Sequence, residues 1–383
     1  MDILYTDDNE TLYKIGEKST FLSRYPMIFS LEEEFDETSD FFRIMGTSPG
    51  VKKNPYLKMR ESLGLTNREL LYVMTSDARS DIMKETVDLI KEILSDEQNE
   101  SYVDYYLQQR KFLDKLVKPT LSNSFLLSLA NKTEHENTSK KIKEYVTDNE
   151  KTSYKMSGTA TGRLVVKSGP NILTLPSDVR KGLKTRYKSG KILQMDLISA
   201  EPYMALLYMN QDLPDDIYQH ISEVILENKV SRNHAKIITL SALYGQSAKN
   251  LSKSLPPDIN AKDVIESTKR YFRVNELKRI LEESLKNRNF RNALGRPIKI
   301  EENRRDLLVS YFLQSSVAEC SIVSFDNFIE GTSLKLTPYY VIHDALIFDA
   351  DQESADYLLN LKKVPVKAGN WLFQAKVTLI SDI

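Results

Sequence analysis

The sequence predicts an α+β protein whose strands form an antiparallel sheet. Two short β-prone segments, residues 191–196 and 339–349, lie far apart along the chain. Long segments with helical periodicity separate them. The second β-prone segment consists of two apolar runs around a central His-Asp, which predicts a hairpin. Strands interleaved with long helices in this way are typical of α+β folds.

Before residue 150 the sequence predicts mainly helices. Residues 46–55 contain two Gly and two Pro and predict a loop or a small boundary. Thr66 is a predicted helix cap, with the reciprocal acid Glu69 three residues later. Residues 105–116 have apolar positions at helical spacing on a basic helix, whereas residues 131–140 are polar and predict an exposed connection. This region is either a mobile arm or two helices of a bundle.

After residue 150 strands and helices alternate. A short apolar strand ends at Asp196, and residues 255–258 form a turn. The last 11 residues contain an alternating segment, 373–380, that predicts a strand. Four further segments have helical periodicity: 216–230, 231–252, 262–289 and 302–330.

The composition is that of a globular protein with a large core. The chain has 383 residues, 41% hydrophobic and 28% charged, enough for two or three sub-domains. No uninterrupted apolar run approaches the roughly 18 residues of a membrane span, and the start lacks a secretion signal. Cys320 is the single cysteine, which excludes an internal disulfide and predicts a reducing, cytoplasmic location. The four histidines are too far apart in sequence to predict a structural zinc site.

Basic residues are concentrated in two stretches, although the net charge is −1. Residues 151–191 contain ten Lys or Arg and one acid, and residues 278–299 contain seven Lys or Arg and two acids. The first 40 residues are instead acidic. Such a distribution allows a polyanion to bind along one face, and it is also compatible with ordinary solvated surfaces.

Two carboxylates occupy the predicted strand end and the predicted hairpin bend. Asp196 closes the first strand and Asp344 lies at the bend. Strand ends and tight bends bring acids to one edge of a sheet, where two Mg²⁺ ions can bind oxygen ligands and retain open positions. Acids at strand ends are also common as plain turn residues, so the pair alone leaves both interpretations open.

One predicted helix has the pattern of a nucleotide site. Arg232, Lys236, Leu240 and Tyr244 recur at every fourth position and therefore form one stripe. The two cations at its N-terminal end can bind a triphosphate, and the helix dipole supports them. The apolar residue and the tyrosine can line a base and its sugar. A surface helix that shares one face with core residues would have the same spacing.

A third motif opens the first basic stretch. In residues 157–164, Ser-Gly-Thr-Ala-Thr-Gly-Arg-Leu, small residues allow the backbone to approach a phosphate chain closely. Arg163 then has room to reach a groove or a backbone phosphate.

Along the chain these pieces occur in the order Thr-Ala-Thr-Gly-Arg (159–163), the strand that ends at Asp196, the helix with Arg232 and Lys236, and then His343-Asp344. In this order they resemble the motifs of the family A DNA polymerases, the relatives of bacterial DNA polymerase I and of some phage enzymes. The resemblance covers about residues 100–383. Residues 292–296 (Asn-Ala-Leu-Gly-Arg) and 313–319 (Leu-Gln-Ser-Ser-Val-Ala-Glu) add further matches. It implies a right-hand fold, with an antiparallel palm sheet and helical fingers and thumb. The implied segments are an N-terminal segment of unclear role (1–60), thumb (61–150), palm (151–225 and 301–383) and fingers (226–300).

The resemblance also implies roles for individual residues. Asp196 and Asp344 resemble the catalytic metal ligands, with the main chain of Leu197 beside them and two Mg²⁺, or Mn²⁺ as a substitute, as cofactors. Glu201 resembles the residue that blocks a ribose 2′-OH. The implied dNTP-binding residues are Arg232, Lys236 (also catalytic), Leu240, Tyr244, Glu201 and Leu197, and the implied contacts with primer–template DNA are Arg163, Asn171, Arg296, Gln314 and His343.

The expected function is therefore DNA-directed addition of dNTPs to a primer 3′ end. Four positions depart from the family pattern. Ala345 stands where Glu usually follows His-Asp, Leu240 replaces Phe or Tyr, Ser241 replaces Gly, and Tyr218 stands where many members have His. These departures keep two alternatives open, namely a ribonucleotide-tolerant or RNA polymerase and a non-catalytic relative that binds primer–template.

No proofreading activity is expected in this chain. The stretch before the thumb is short for the family's 3′–5′ exonuclease domain, and it has no acid-rich strand pattern. The expected protein partners are a separate exonuclease, a primase–helicase or a processivity factor. No association with a membrane is expected. The expected location is the cytoplasm of a bacterial or phage-infected cell.

Overall fold

The computed structural model describes residues 95–147 and 150–381 continuously. Before residue 95 it describes shorter segments: 3–6, 11–14, 17–20, 28–30, 40–45, 62–63, 75 and 92–93. The chain divides into two compact units. The first comprises Met1–Lys111 with Leu294–Pro297, and the second comprises Phe112–Ala293 with Ile298–Ile383. These boundaries cut across the predicted segments 61–150 and 226–300, whose assignment to thumb and fingers stays a prediction.

The first unit contains a small antiparallel sheet that the sequence did not predict. Its strands are β1 (Ile3–Thr6), β2 (Thr11–Lys14), β3 (Glu17–Thr20) and β4 (Ile28–Ser30), in the order β3-β2-β1-β4. Helix α1 (Asp40–Met45) follows in sequence, and Phe41 and Phe42 on it are fully buried. The predicted loop at 46–55 and the predicted cap at Thr66 lie outside the described residues.

Helix α2 (Glu97–Lys115), which the unit boundary crosses, includes most of the predicted basic helix. Strand β5 (Thr120–Leu121) and the antiparallel pair α3 (Asn123–Lys132) and α4 (Glu136–Thr147) come next. The polar segment 131–140 is largely exposed, as predicted, but the second half of it is helical. Only three residues, 133–135, therefore connect the two helices.

The second unit is built on a five-stranded antiparallel sheet. Two hairpin strands, β6 (Ser153–Lys155) and β7 (Val165–Ser168), and the short β8 (Leu183–Lys184) precede it. Strand β9 (Lys191–Leu197) is central in the order β10-β11-β9-β13-β12. The predicted α+β class with an antiparallel sheet is therefore confirmed.

Helices follow β9; the sequence did not predict the first of them, and the others up to residue 331 match the four predicted helical segments. They are α5 (Ala200–Tyr208), α6 (Ile217–His220) with the π-helical turn Ile221–Ile225, α7 (Arg232–Leu243), α8 (Ala248–Leu251), α9 (Ala261–Tyr271), α10 (Val274–Lys286) and α11 (Leu308–Gly331). The remaining elements are β10 (Leu336–Ile342), β11 (Ala345–Ala350), α12 (Gln352–Asn360), β12 (Val364–Ala368) and β13 (Trp371–Ser381). The predicted hairpin is β10-β11, and the predicted C-terminal strand is β13.

Helix α11 is the central core helix of the second unit. The Arg304–Gly331 stretch has the length and hydropathy of a membrane span, yet 78% of its most apolar window is buried inside the protein. Glu319 and Asp326, both buried, interrupt its apolar sequence. Asp326 is neutralised by Lys115 Nζ at 2.8 Å. These features are those of a helix that packs within a protein core.

The two faces of the sheet have different coverings. Leu193, Met195 and Leu197 alternate along β9 on one face, and all three are buried. On the other face Ile192 belongs to a hydrophobic cluster that includes residues of α3 and α4. Gln194 and Asp196 follow Ile192 on this second face, and each is only partly buried. The second face therefore changes from apolar to polar at the end of β9.

Candidate active site

Backbone pairing brings the two predicted carboxylates together. In the sheet register Ala345 lies opposite Asp196, so Asp344 at the hairpin bend lies next to the end of β9. The Leu197 amide donates a hydrogen bond to the Asp344 carbonyl oxygen at 3.1 Å, which holds the bend against the strand. His343, the first residue of the bend, has a φ of +55°. Histidine adopts this left-handed region more readily than most residues, although at a cost in backbone strain.

The two carboxylates are electrostatically strained. Burial raises the pKa of Asp196 above its ordinary value, and the neighbouring Asp344 raises it further, to about 6. Burial likewise raises the pKa of Asp344, which Arg163 and Lys236 oppose. Like charges in a partly desolvated site disfavour simultaneous ionisation. The pair would therefore be stabilised by any cation that binds between the carboxylates.

Two further side chains, Gln194 and Arg180, support the Asp196 carboxylate through hydrogen bonds and charge. Gln194, two residues earlier on the same face of β9, forms a hydrogen bond with Asp196 that lowers the pKa of its carboxyl. Arg180 Nη1 donates to Gln194 Oε1 at 3.0 Å. Burial lowers the pKa of Arg180, and the charge of Asp196 counteracts this. Arg180 and Gln194 thus fix the orientation of the carboxylate.

A cleft of about 610 Å³ opens between α7 and this carboxylate pair. Asp196, Asp344, Glu201, Arg232 and Lys236 all line it. The Asp196–Asp344 pair therefore lies across the cleft from two cations of α7. That arrangement fits a polyphosphate bridged to the acids by metal ions.

Tyr218 organises the two cations of α7. Arg232 Cζ lies 5.5 Å from the centroid of its ring, and Lys236 Nζ lies 5.9 Å from it. Arg232 Nε also donates to Asp216 Oδ2 at 2.8 Å. Both partners of this ion pair are more than 40% exposed, so its net stabilisation is small and a phosphate can replace the carboxylate.

Glu201 is held by two of the other predicted residues. Arg163 Nη2 donates to Glu201 Oε1 at 3.1 Å, and the Tyr244 hydroxyl donates to Glu201 Oε2. Burial, reinforced by Glu201, raises the pKa of Tyr244. Leu240 lies between these groups and the cations and also lines the cleft. The predicted stripe of α7 therefore faces the site along its whole length.

The Gly/Thr-rich loop has a structural role that the sequence did not reveal. A Cβ on Gly158 would come within 2.6 Å of Val165 Cγ2, so glycine lets the β6-β7 hairpin close. The Thr159 hydroxyl donates to the Arg163 carbonyl at 3.1 Å, and Gly162 has a φ of +72°. The loop is thus a compact turn that directs Arg163 towards Glu201.

A second, smaller cleft of about 290 Å³ adjoins the first. Glu201 and Asp344 line both clefts, and the second is completed by Arg163, Gln314 and His343 among others. Three of the five predicted DNA contacts therefore lie together beside the carboxylates. Their proximity follows from α11 and the β10-β11 hairpin, which approach the loop after β6.

The other two predicted DNA contacts lie elsewhere. Asn171 is exposed in a separate cleft, lined also by Lys141, Glu144 and Tyr145. Arg296 belongs to the first unit and is only 3% exposed. The structure therefore places Asn171 in a cleft apart from the carboxylate pair, and the contact of Asn171 and Arg296 with DNA stays a prediction.

Several residues around the site escaped the sequence analysis. Lys376 and Thr378 of β13 line the large cleft. Asp196 on β9 is paired with Ala345 of β11 on one side and with Lys376 of β13 on the other. The alternating pattern of residues 373–380 predicts that these side chains share one face, but only the sheet order shows which strand they adjoin.

Comparison with known proteins agrees with this geometry. The sequence profile of DNA polymerase family A matches residues 68–380. Among solved structures, the POL domain of Pol1 from M. smegmatis, in complex with DNA primer–template and dNTP, superposes with a TM-score of 0.51 at 14% identity. The match covers 89% of this chain and 80% of that one, and it shows a shared right-hand polymerase fold. No curated protein matches the chain significantly. Because the family profile spans most of the sequence, the chain belongs to DNA polymerase family A and is a DNA-directed DNA polymerase.

Proposed function

We propose that this chain adds dNTPs to a primer 3′ end by nucleotidyl transfer with two divalent cations. The observation that carries the proposal is the meeting of Asp196 and Asp344 opposite Arg232 and Lys236 in one cleft. The residues 151–225 and 301–383 would act as palm, 226–300 as fingers and 61–150 as thumb.

The carboxylate pair fits Mg²⁺. Asp196 and Asp344 are partly buried, repel each other and have raised pKa values, so a shared cation charge would stabilise both. No cluster of three or more acidic, histidine or cysteine ligands occurs within the described ranges. Phosphate oxygens, water and the Leu197 carbonyl would therefore complete the coordination. Two bound Mg²⁺, or Mn²⁺ as a substitute, would activate the primer 3′-OH and stabilise the charge that develops on the phosphates.

The residues of α7 bind the dNTP in this proposal. Arg232 exchanges its exposed partner Asp216 for phosphate oxygens, and Lys236 binds the same triphosphate from the next turn. Because Lys236 reaches the region of the carboxylates, it also neutralises charge on the leaving pyrophosphate. Leu240 and Tyr244 line the nucleoside end.

Glu201 selects the sugar. Its carboxylate is fixed by Arg163 and Tyr244, so it stands as a rigid group beside the metal carboxylates. A rigid side chain at this position leaves no room for a ribose 2′-OH, which favours dNTPs over rNTPs. The replacement of an aromatic residue by Leu240 acts in the opposite direction, so ribonucleotide tolerance is the second function to test.

The smaller cleft receives the primer terminus. Arg163, Gln314 and His343 supply hydrogen-bond donors next to Asp344, where the 3′-OH must be. Because the contacts are to sugar, phosphate and minor-groove atoms, binding should depend weakly on sequence and strongly on salt.

We also propose that the chain extends DNA without excising it. A separate exonuclease, a primase–helicase or a processivity factor would then act beside it in the bacterial or phage-infected cytoplasm. Incubation with a mismatched primer and Mg²⁺, without dNTPs, tests this point, since shortening of the primer would contradict it.

Primer extension tests the main proposal. A recessed DNA template, four dNTPs and Mg²⁺ should give full-length product with the unaltered protein and none with Asp344→Asn. The exposed-loop variant Asp258→Asn is the matched control and should extend normally. Primer–template binding without extension by the unaltered protein, in Mg²⁺ and in Mn²⁺, would instead support a non-catalytic relative.

A further inference from the structure

One row of residues across the sheet places a lysine beside the carboxylate pair. In the register of β11, β9 and β13, Ala345 lies opposite Asp196 on one side and Lys376 lies opposite it on the other. Directly opposed residues in a sheet point to the same face, with Cβ atoms about 5 Å apart. Lys376 is therefore an immediate neighbour of Asp196 on the face that carries the site.

Lys376 is accessible within the large cleft. Its side chain is exposed and lines the cleft together with Thr378, Arg232 and Lys236. It forms no ion pair with any residue in the described part of the chain. In contrast, Arg232 is already paired with Asp216. Lys376 is thus a cation without an acidic partner on the wall of the cleft that faces α7.

Lys376 would add a positive charge on the sheet side of the cleft. The triphosphate of a dNTP carries several negative charges, and the acids Asp196 and Asp344 add two more. Arg232 and Lys236 approach it only from α7. Two bound Mg²⁺ would offset charge next to the carboxylates, and Lys376 would give the phosphate oxygens a charged donor on the wall opposite α7.

We propose that Lys376 binds the β- and γ-phosphates of the incoming dNTP, and then the released pyrophosphate, from the sheet side of the cleft. This inference rests on the proposed function. Lys376 would be a substrate-binding residue that a strand contributes, complementary to the two on the fingers helix. Thr378, one pair further along the same face, supplies a hydroxyl to the same wall.

A matched control exists on the same sheet. Lys367 on β12 is exposed and lies opposite Leu372, which is on the same face as Lys376. Leu372 and Lys376 are four positions apart on β13, which separates the two lysines by about 13 Å along the strand direction. Lys367 does not line the cleft. Lys367→Met therefore removes the same charge from the same surface outside the site.

The experiment measures dNTP binding without turnover. The protein is bound to a primer–template whose primer ends in a dideoxynucleotide, and the Kd of the next correct dNTP is titrated in Mg²⁺. Lys376→Met should weaken dNTP binding roughly 10-fold, the low end expected for a charge-assisted hydrogen bond at an accessible site. Lys376→Arg should restore binding to within about 3-fold, because it keeps the charge.

Two further measurements separate phosphate binding from other roles. The apparent Kd of pyrophosphate in the reverse reaction should weaken in parallel, whereas the Kd of primer–template should remain unchanged. Weakening of primer–template binding instead of dNTP binding would assign Lys376 to the DNA backbone and overturn the inference.

The outcomes also separate this inference from the proposed function. If the unaltered protein extends primers and Asp344→Asn does not, but Lys376→Met binds dNTP as tightly as Lys367→Met, the lysine inference alone is wrong. If the unaltered protein neither extends a primer nor binds dNTP, the proposed function itself has failed.

Discussion

Asp196→Asn should stabilise the metal-free protein while it abolishes primer extension. The pKa of Asp196 is raised from 3.8 to about 6 by burial and by Asp344. Each pKa unit corresponds to about 1.4 kcal/mol, so the ionised carboxylate destabilises the folded state by at most about 3 kcal/mol at pH 8. Asparagine has nearly the same shape and can still accept a hydrogen bond from Gln194. It therefore removes the electrostatic cost without opening a cavity.

The pH dependence has a definite sign. Below pH 3.8 Asp196 is protonated in both the folded and the unfolded state, so the two proteins should be equally stable. Between that pH and about 6 the unaltered protein loses stability relative to Asp196→Asn, because the unfolded state ionises first. At pH 5 the difference should be about half of its full value, and above pH 7 it should be constant.

Urea denaturation in EDTA at pH 5 and pH 8 measures this difference. Asp258→Asn, which changes an exposed loop acid, should show no such pH-dependent gain. Addition of Mg²⁺ should stabilise the unaltered protein and leave Asp196→Asn nearly unchanged, since binding to the folded state stabilises it. If Asp196→Asn is no more stable than the unaltered protein at pH 8 in EDTA, the account of a strained carboxylate pair is refuted.

Three further predictions concern the surroundings of this carboxylate. Glu201→Ala should raise the kcat/KM for an rNTP relative to the matching dNTP by about 10-fold or more, measured by single-nucleotide insertion, because it opens space beside the sugar; an unchanged ratio would exclude Glu201 as the selecting group. Ala345→Glu restores the family's acid next to Asp196 and should increase the single-turnover rate in Mg²⁺ by less than about 10-fold. A decrease would show that the sheet position beside Asp196 does not accept a third acid. Gln194→Leu removes a hydrogen bond that lowers the pKa of Asp196, so the acid limb of the rate–pH profile should move to higher pH; a profile identical to that of the unaltered protein would contradict the positioning role of Gln194.

The residues of the site were largely predictable because they occur in short local motifs. The stripe on α7 follows from a repeat of four residues, and the hairpin follows from two β-prone runs around His343 and Asp344. Local backbone preferences and side-chain periodicity set both, so the sequence alone could indicate them. The family A resemblance then connected motifs that are far apart in the chain.

The sequence could not give the order of strands in the sheet. That order depends on which faces pack against the helices, a property of the whole chain. The position of β13 beside β9 brings Lys376 next to Asp196, although 180 residues separate them in sequence. The four-stranded sheet of the first unit was also missed, since its strands are only three or four residues long and have little periodicity to detect.

The sequence by itself thus determined the fold class, the family and the chemical types of the residues at the site. The tertiary structure decided which of them meet. It joined Arg163, Glu201 and Tyr244 through direct hydrogen bonds, and it separated Asn171 from the carboxylates. The physical reason is that periodicity and turn chemistry act over a few residues, whereas strand order, burial and the pKa values that follow from them arise only when distant segments pack together.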